Sequence, residues 1–292
     1  MSDQDRYIPG VPCWIDTNQP DPEAAVAFYG GLFGWEFEDV TPPGAPVKYF
    51  LALLRGGPVA GVASQPEATQ RAVAWDTYVW VADADEAAAK VLAAGGSVLS
   101  EPADVGDSGR TALCADSEGA AFCVWQANEH RGAAIVNEPG SLNFNDLHTR
   151  DRDRASVFYG AVFGWEVLDV GGGYAWALPG YGDFLEQRNP GMRAGMAEMG
   201  APERFEDVVA SVAQISDDTP AHWSVTFGVD DADAIAERAT ELGGRVIAAP
   251  FDAPWVRTTV IADPAGATFT ASKFVPENKG MAEPEEAAVS GS

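Results

Sequence analysis

Two histidines and one carboxylate in the second half of the chain have types and spacing that suit acid–base or metal chemistry. Asp146 and His148 lie two residues apart in one predicted strand, and His222 lies in another. Side chains two residues apart point to the same face of a strand, and a carboxylate beside an imidazole fixes its tautomer. The pair therefore predicts His148 as a catalytic acid–base residue that Asp146 orients. One alternative is a metal held by His148, His222 and Asp146, and the other is ordinary hydrogen-bonded strand residues. The third histidine, His130, is expected in a solvated linker.

Aromatic side chains stand two residues before carboxylates at corresponding places in both halves. Trp14 precedes Asp16, and Phe144 precedes Asp146. An aromatic wall with a few polar groups is the usual composition of a small-molecule pocket, so these four side chains are predicted to contact a ligand. The other predicted ligand contacts are Asp76, His222, Ser224, Trp255 and Arg257. For Arg257 the alternative is an ion pair with neighbouring carboxylates, and for the aromatic side chains it is packing in a core.

The elements that must position these residues occur twice, because the chain repeats itself. Residues 28–36 read FYGGLFGWE and residues 158–166 read FYGAVFGWE. Two later motifs recur at a larger offset, a glycine pair and an aspartate turn: Gly95-Gly96 with Gly243-Gly244, and Asp116 with Asp263. The larger offset indicates an insertion in the second copy, near residues 181–217. We expect it to form a lid over the second pocket, or an extra helix that covers a sheet edge or an interface.

Each copy divides into two halves with the same order of elements. In the first half an apolar run is followed by Asp21-Pro22, which is typical of a helix start, and Gly34 ends that helix before a new strand. The second half repeats this plan, with a strand at 77–81 and a helix at 86–94. The unit is strand, helix and three strands, present four times, which predicts an α+β protein. The length favours two domains, each burying its own core.

The predicted organisation divides the chain into five parts. An N-terminal arm at 1–9 leads into a first domain at 10–126, and a linker at 127–140 joins it to a second domain at 141–275. The segment 276–292 is acidic and lacks aromatic residues, so we expect a disordered tail.

Composition limits the classes of partner. Lys+Arg 18 against Asp+Glu 44 gives a formal net charge of −26 at pH 7, which repels nucleic acid and anionic membrane surfaces. The cysteines Cys13, Cys114 and Cys123 have no metal or disulfide spacing and fit a reducing compartment. We therefore expect a cytoplasmic monomer or homodimer with no targeting or membrane-spanning segment, whose partner is a small-molecule ligand.

The repeated element resembles the vicinal oxygen chelate superfamily. Its pattern D-x-x-x-A-x-x-F-Y-x-x-[LV]-[FL]-G-[WF] is present at 21–35 and again at 151–165. That superfamily includes glyoxalase I, extradiol dioxygenases, fosfomycin-resistance enzymes and bleomycin-resistance proteins, and the chain most resembles its two-domain glyoxalase- or hydroxylase-like branch. The resemblance implies four βαβββ modules paired into two cup-shaped glyoxalase-like domains in tandem, with the chemistry inside the cups.

The resemblance also implies where a metal would be held. The corresponding positions are Trp14, Asp76 and Cys123 in the first copy, and Phe144, Ser224 and Thr270 in the second. Neither set is a usual metal-binding set, so we expect no cofactor. The alternative is a divalent metal displaced to His148, His222 and Asp146.

These observations favour a protein that binds or acts on a small aromatic or carbonyl metabolite without the usual metal, with the second cup the more functional. If it is an enzyme, the resemblance implies lyase, isomerase or hydroxylase-like oxidoreductase chemistry. One alternative is a non-catalytic protein that sequesters a drug or metabolite, as bleomycin-resistance proteins do. Another is a metal-dependent glyoxalase or dioxygenase with a displaced site.

Overall fold

The computed structural model describes residues 6–65, 71–171 and 173–281, which form two mixed sheets and their helices. The first sheet contains β1 (Pro12–Gln19), β2 (Glu36–Asp39), β3 (Tyr49–Leu54), β4 (Gly57–Ser64), β5 (Trp75–Trp80), β6 (Ser97–Val105), β7 (Gly109–Ala115) and β8 (Ala121–Ala127). The second contains β9 (Leu142–Thr149), β10 (Glu166–Asp169), β11 (Tyr174–Ala177), β12 (Val208–Gln214), β13 (His222–Gly228), β14 (Arg245–Ala253), β15 (Val256–Ala262) and β16 (Thr268–Phe274). The helices are α1 (Pro22–Phe33), α2 (Ala84–Ala93), α3 (Arg152–Phe163), α4 (Tyr181–Arg188), α5 (Met192–Met199) and α6 (Ala232–Glu241).

Both sheets have the same topology, which confirms the predicted tandem α+β fold. The strand orders are β2-β3-β4-β1-β5-β8-β7-β6 and β10-β11-β12-β9-β13-β16-β15-β14. In each sheet two four-stranded modules join through an antiparallel pair, β1 with β5 and β9 with β13. Because this central pair belongs to both modules, residues from the two modules meet on one face of the sheet.

The repeated motif forms its helices by local capping. The side chain of Asp21 accepts the backbone N–H of Ala24 at 3.0 Å, and Gly34 ends α1 with a φ of 71°, which favours glycine. Asp151 and Gly164 have the same roles in α3. The spacing between the capping aspartate and the terminal glycine is the same in both helices, and it sets the length of each helix.

The hydrophobic cores are shared between the two copies, contrary to the prediction of one core per domain. Phe28 of α1 packs in one cluster with Phe227 and Phe269 of the second sheet. Phe158 of α3 packs in another cluster with Phe122 of the first sheet. The two sheets thus bury their helices against each other, so burial of apolar surface depends on both copies.

Tyrosines of the repeated motif bind the aspartate turns of the opposite copy. Tyr29 Oη donates to Asp263 Oδ2 at 2.9 Å, and Tyr159 Oη donates to Asp116 Oδ2 at 3.0 Å. The other oxygen of each aspartate accepts backbone N–H groups, as expected for a turn residue. The motif therefore holds the copies together as well as forming the helix.

The insertion in the second copy is shorter than predicted. It lies between β11 and β12 and contains α4, α5 and a 3₁₀ turn at Phe205–Asp207. Residues 208–214 are β12, which pairs in parallel with β9 as β4 pairs with β1. The sequence predicts an insertion through these residues because the stretch 202–214 has no evident counterpart in the first copy. The Tyr181 ring of α4 packs on a cluster from the first copy, as the interface alternative expects.

The segment predicted as a disordered tail begins with ordered structure. Pro276–Gly280 form a 3₁₀ turn, where Asn278 Nδ2 donates to Val256 O at 3.0 Å. Lys279 Nζ donates to Gly200 O at 2.9 Å and lies over the Trp255 ring. These contacts hold the segment against the domain although it contains no aromatic side chain. The remainder of the predicted tail, 282–292, lies outside the described residues.

Candidate functional site

The face of each sheet turned away from the helices carries most of the predicted site residues. In the first copy Asp16 lies directly opposite Asp76 in the strand register. In the second copy Asp146 lies opposite Ser224, and His148 lies opposite His222. We define the first cup face as Trp14, Asp16, Asp76, Tyr78 and Cys123, and the second cup face as Phe144, Asp146, His148, His222 and Ser224.

Asp16 is a buried carboxyl group held by two tyrosines. Tyr49 Oη and Tyr78 Oη donate to Asp16 Oδ2 at 3.2 and 2.9 Å. The other oxygen, Oδ1, is buried and has no hydrogen-bond partner among the described residues. Burial, and secondly the Asp76 carboxylate, raise the pKa of Asp16 from 3.8 to about 7. This group therefore carries a proton for part of the time near neutral pH.

Asp76 lies in an ion pair rather than in an open ligand position. Arg71 Nη1 donates to Asp76 Oδ2 at 3.0 Å, and Asn18 Nδ2 donates to the same oxygen at 3.3 Å. Burial raises the pKa of Asp76, and the Arg71 guanidinium opposes that rise. Burial also raises the pKa of the Cys123 thiol well above its ordinary value. With no metal bound the thiol stays protonated at neutral pH, which makes it a poor nucleophile.

The linker closes one end of the first cup face, and the prediction of a solvated His130 is wrong. The His130 ring centroid lies 4.3 Å from that of Trp14 and 5.6 Å from that of Trp125. Its Nε2 is buried without a hydrogen-bond partner among the described residues, and burial lowers the pKa of His130 to about 4. Trp14 is only 3% exposed. His130 lies between Glu129 and Arg131 in the sequence, so only the tertiary contacts reveal this packing.

In the second copy, hydroxyl groups of smaller residues hold the carboxyl group that corresponds to Asp16. Thr226 Oγ1 donates to Asp146 Oδ2 at 2.7 Å, and Ser211 Oγ donates to Asp146 Oδ1. Burial raises the pKa of Asp146, and both hydroxyl groups oppose the rise. Sequence reasoning missed both partners, because Ser211 was placed in the insertion and the strand register is needed to bring Thr226 close.

His148 contacts Ser224 instead of the predicted Asp146. Its Nε2 lies 3.1 Å from Ser224 Oγ, while the described contacts of the Asp146 carboxylate are to Ser211 and Thr226. Burial, and secondly the neighbouring His222, lower the pKa of His148 to about 4. The imidazole is therefore neutral at pH 7. Ser224, and not Asp146, is the residue that contacts its ring nitrogen.

The residues present do not fit the metal that the fold family implies. At the family positions, Trp14, Phe144, Ser224 and Thr270 offer no charged ligand, and Asp76 is paired with Arg71. Of the six positions this leaves Cys123 as a single thiol ligand, which is too few to hold a metal. The His148 and His222 rings stack with their centroids 4.6 Å apart and an angle of 6° between planes. Because a metal lies in the plane of each imidazole that binds it, rings stacked in this way do not point at one ion. Within the described ranges, no group of three His, Cys, Asp or Glu side chains is arranged to hold a metal.

Trp255 and Arg257 lie at the β14–β15 hairpin and have partners of their own. The Trp255 ring stacks on Phe274, with centroids 6.1 Å apart. Arg257 Nη2 donates to Asp233 of α6 at 2.7 Å, and Arg257 Nη1 donates to Asp252 at 3.2 Å. The guanidinium thus pairs with carboxylates, one of them on a helix, as the alternative to ligand binding expects.

The two cup faces differ in how far they are open. Phe144, Asp146, His148 and Ser224 are half-buried and His222 is exposed. In contrast, Trp14, Asp16, Asp76 and Cys123 are buried. The small hydroxyl residues that surround Asp146 occupy less space than the tyrosines that surround Asp16. The second cup face is therefore the more accessible of the two.

The paired modules in tandem define a protein of the vicinal oxygen chelate superfamily, and comparisons with known proteins agree. The family model for a glyoxalase-like domain matches residues 14–125 and 144–272, so the chain belongs to that family. It is 38% identical over 282 residues to the Mycobacterium tuberculosis protein named "Putative glyoxylase CFP32", covering 95% of this chain and 100% of that protein. It is 35% identical over 278 residues to the anthracycline biosynthesis protein DauV of Streptomyces sp. strain C5, covering 91% and 94% of the two chains.

Solved structures share the fold at low sequence identity. A Mn(II)-bound glyoxalase from Novosphingobium aromaticivorans superposes with a TM-score of 0.57 at 16% identity, covering 91% of this chain and 82% of that one. The 2,3-dioxygenase LapB from Pseudomonas sp. KL28 gives 0.57 at 12% identity, covering 96% of both chains. In the part of the chain that the structure describes, no helix is both long and apolar enough to cross a membrane.

Proposed function

We propose that this protein binds a small aromatic, carbonyl-bearing metabolite at the second cup face, in the cytoplasm and without a metal. The observation that carries the proposal is that the second cup face is accessible, whereas the corresponding residues of the first cup face are buried. The accessible side chains on that one sheet face are Phe144, Asp146, His148 and Ser224. An aromatic ring beside a few hydrogen-bonding groups is typical of small-molecule sites.

Each of these side chains has a separate role in binding. The Phe144 ring stacks on the plane of the ligand, and the Ser224 hydroxyl donates a hydrogen bond to its carbonyl oxygen. His148 is neutral at pH 7 because burial lowers its pKa to about 4, so it contacts the ligand as an uncharged imidazole. Buried polar groups that already have partners are pre-organised and lose little freedom on binding.

The similarity to DauV supports the ligand class. That relative is named for anthracycline biosynthesis, and anthracyclines are planar aromatic compounds with several carbonyl groups. A planar compound with carbonyl oxygens at its edge matches an aromatic wall next to hydroxyl and imidazole groups. We therefore choose an anthracycline, daunorubicin, as the probe of this site.

A catalytic role is the second candidate, favoured by the 3.1 Å contact between His148 Nε2 and Ser224 Oγ. In this case His148 takes a proton from a ligand O–H or acidic C–H group, becomes an imidazolium, and returns the proton to the product. A base with a pKa near 4 is weak at pH 7, which is why binding is placed first.

The test is a titration of the full chain with daunorubicin, followed by quenching of the ligand's fluorescence. Phe144→Ala and His148→Ala are expected to weaken binding about tenfold or more each, the effect of ~1.4 kcal/mol. Arg110→Gln, which removes an arginine paired with Asp85 and Asp104 in the first copy, is the control and should retain wild-type affinity. Wild-type affinity in both second-face variants, or no binding by the wild-type chain, would contradict the proposal. Turnover that is lost in His148→Ala at unchanged ligand affinity would favour the catalytic candidate.

A further inference from the structure

A tyrosine side chain of the protein itself occupies the first cup. Tyr49 is the first residue of β3, and its Oη donates to Asp16 Oδ2 at 3.2 Å. Trp14 Nε1 donates to the same Tyr49 oxygen at 3.1 Å. The phenol group of Tyr49 thus lies against β1 and contacts two residues of the first cup face, which helps to keep that face closed.

Gly61 provides the room for this ring. It lies opposite Asp16 in the parallel pairing of β4 with β1. A Cβ atom at position 61 would lie 2.6 Å from Tyr49 Cζ and closer still to Tyr49 Oη, and Cβ atoms do not make contacts this short. The ring therefore fits here because the residue is glycine, whose backbone allows close approach. We call the space bounded by Gly61, Asp16 and Trp14 the ring slot.

The second copy has neither the glycine nor the tyrosine. The strand register places Ser211 where the first copy has Gly61. It places Gly173 where the first copy has Tyr49. Ser211 Oγ donates directly to Asp146, whereas in the first copy a phenol on a long side chain contacts the corresponding carboxyl group. The two differences occur together, which indicates that Gly61 and Tyr49 form a slot and its occupant.

The groups around the Tyr49 oxygen favour a hydroxyl group at this place. The Trp14 N–H is a donor only, so the occupant must accept a hydrogen bond. The Asp16 carboxyl group accepts from Tyr49 and Tyr78, so the occupant must also donate one. A phenol does both, whereas an ammonium group has no acceptor and a carboxylate has no donor. Asp16 Oδ1, which is buried and has no hydrogen-bond partner among the described residues, is a second acceptor in the same slot.

Tyr49 lies at a place from which its side chain can leave the slot. It is half-buried at the start of β3, and the preceding connection at 40–48 is mostly exposed. Rotation about χ1 moves the ring outwards while the backbone hydrogen bonds of the strand remain. The cost is the loss of two hydrogen bonds, to Trp14 and Asp16, and an incoming phenol forms the same two bonds.

We propose that the ring slot is a binding site for phenols, in which Tyr49 is the resident occupant and exchanges with an external phenol. The ring of the ligand lies on Gly61, its oxygen accepts from Trp14 Nε1, and its O–H donates to Asp16. Tyr49 is then an autoinhibitory group of the first cup. The site uses no residue of the second cup face, so this proposal is separate from the binding proposed there.

The experiment is isothermal titration calorimetry of the full chain with phenol and with benzene, which lacks the O–H group. The wild-type chain should bind phenol about tenfold more tightly than benzene, because only phenol forms the two hydrogen bonds. Tyr49→Ala should bind phenol about tenfold or more tightly than the wild type does, because no side chain competes for the slot. Gly61→Ala should weaken phenol binding about tenfold or more, since its Cβ lies in the slot.

Tyr174→Ala is the matched control. It removes a tyrosine on β11, the strand that corresponds to β3, and the ring of this tyrosine lies against Arg152 of α3 instead of in a cup. This variant should bind phenol as the wild type does.

Four results would overturn the proposal. They are equal affinity of the wild-type chain for phenol and benzene, no gain in phenol affinity in Tyr49→Ala, wild-type phenol affinity in Gly61→Ala, and binding by Tyr49→Ala with none by the wild type, which would make the ring a fixed part of the core. The wild-type and Gly61→Ala titrations decide the question even if Tyr49→Ala does not fold.

Phenol could also bind at the second cup face, and the variants separate the two sites. Loss of phenol binding in Phe144→Ala with full binding in Gly61→Ala would assign phenol to the second cup face and overturn the proposal. The daunorubicin titration uses a different ligand and variants of the second cup face only. Failure of one site is therefore distinguishable from failure of the other.

Discussion

Substitution of Asp16 by asparagine is expected to stabilise the protein more at alkaline pH than at acidic pH. Burial and the Asp76 carboxylate raise the pKa of Asp16 to about 7, against an ordinary value of 3.8. Because the folded state holds this proton more tightly than the unfolded chain does, the free energy of unfolding falls as pH rises between these two values. Asparagine has the shape of the protonated carboxyl group and does not lose a proton.

The structure sets the size of this effect. Each pH unit between the unfolded and folded pKa values lowers the free energy of unfolding by about 1.4 kcal/mol. Through this one group the wild-type protein therefore loses at most about 4 kcal/mol by pH 8. Tyr49 and Tyr78 donate to Asp16 Oδ2, and the amide oxygen of asparagine accepts in the same place. We therefore expect the stability advantage of Asp16→Asn over the wild type to be about 3 kcal/mol larger at pH 8 than at pH 5, since about two pH units of the range between the two pKa values lie above pH 5.

The assay is urea unfolding at pH 5 and pH 8, followed by tryptophan fluorescence and circular dichroism. Asp217→Asn is the control, because it removes one negative charge from an exposed position. It corrects for the general effect of the net charge of −26. A stability difference between Asp16→Asn and the wild type that is the same at both pH values would refute the reasoning, as would a loss of stability at pH 8.

Further predictions concern the join between the copies, the second cup face and the metal. Tyr159→Phe removes the O–H group that donates to Asp116 and should lower the free energy of unfolding by about 1–3 kcal/mol, and an unchanged urea midpoint would contradict this. As pH falls from 6.5 towards 4, the stability that neutral His148 contributes should be lost, because its folded pKa is lowered to about 4 and the unfolded chain binds this proton first. His148→Gln should therefore gain stability relative to the wild type as pH falls through this range, measured by urea unfolding in circular dichroism, and a difference that does not change with pH would count against the burial argument. Gly61→Ala places a Cβ on the Tyr49 hydroxyl and should cost about 1–3 kcal/mol, measured as a lower unfolding temperature, which a wild-type temperature would disprove. Elemental analysis of protein purified without added metal should find manganese, iron, nickel and zinc well below one ion per chain; stoichiometric metal would show that the side chains rearrange around an ion.

The parts of the fold that depend on local signals could be predicted from the sequence. The cap at Asp21 and the stop at Gly34 act within one turn of α1, and their recurrence in α3 identified the repeat. Strand alternation likewise placed Trp14 with Asp16 and Phe144 with Asp146. These features need only neighbours in the sequence, so periodicity and turn residues reveal them.

Contacts between distant residues could not be predicted in the same way. Tyr29 and Asp263 are 234 positions apart, and nothing in the local sequence around either residue indicates a contact with the other. The same holds for Ser211, whose hydroxyl reaches Asp146 only because β12 pairs with β9 in a specific register. His130 lies between Glu129 and Arg131 in the sequence, yet in the fold its ring packs against Trp14 and Trp125. Sequence alone thus predicted which candidate residues share a sheet face, but not the side chains that surround them.

The most direct test of the central claim is a crystal structure of the full chain soaked with daunorubicin. The account predicts electron density for the ligand over Phe144, with a carbonyl oxygen within hydrogen-bonding distance of Ser224 or His148 and no metal ion between them. Density on the first cup face alone, or a metal ion bound to His148 between protein and ligand, would contradict the account.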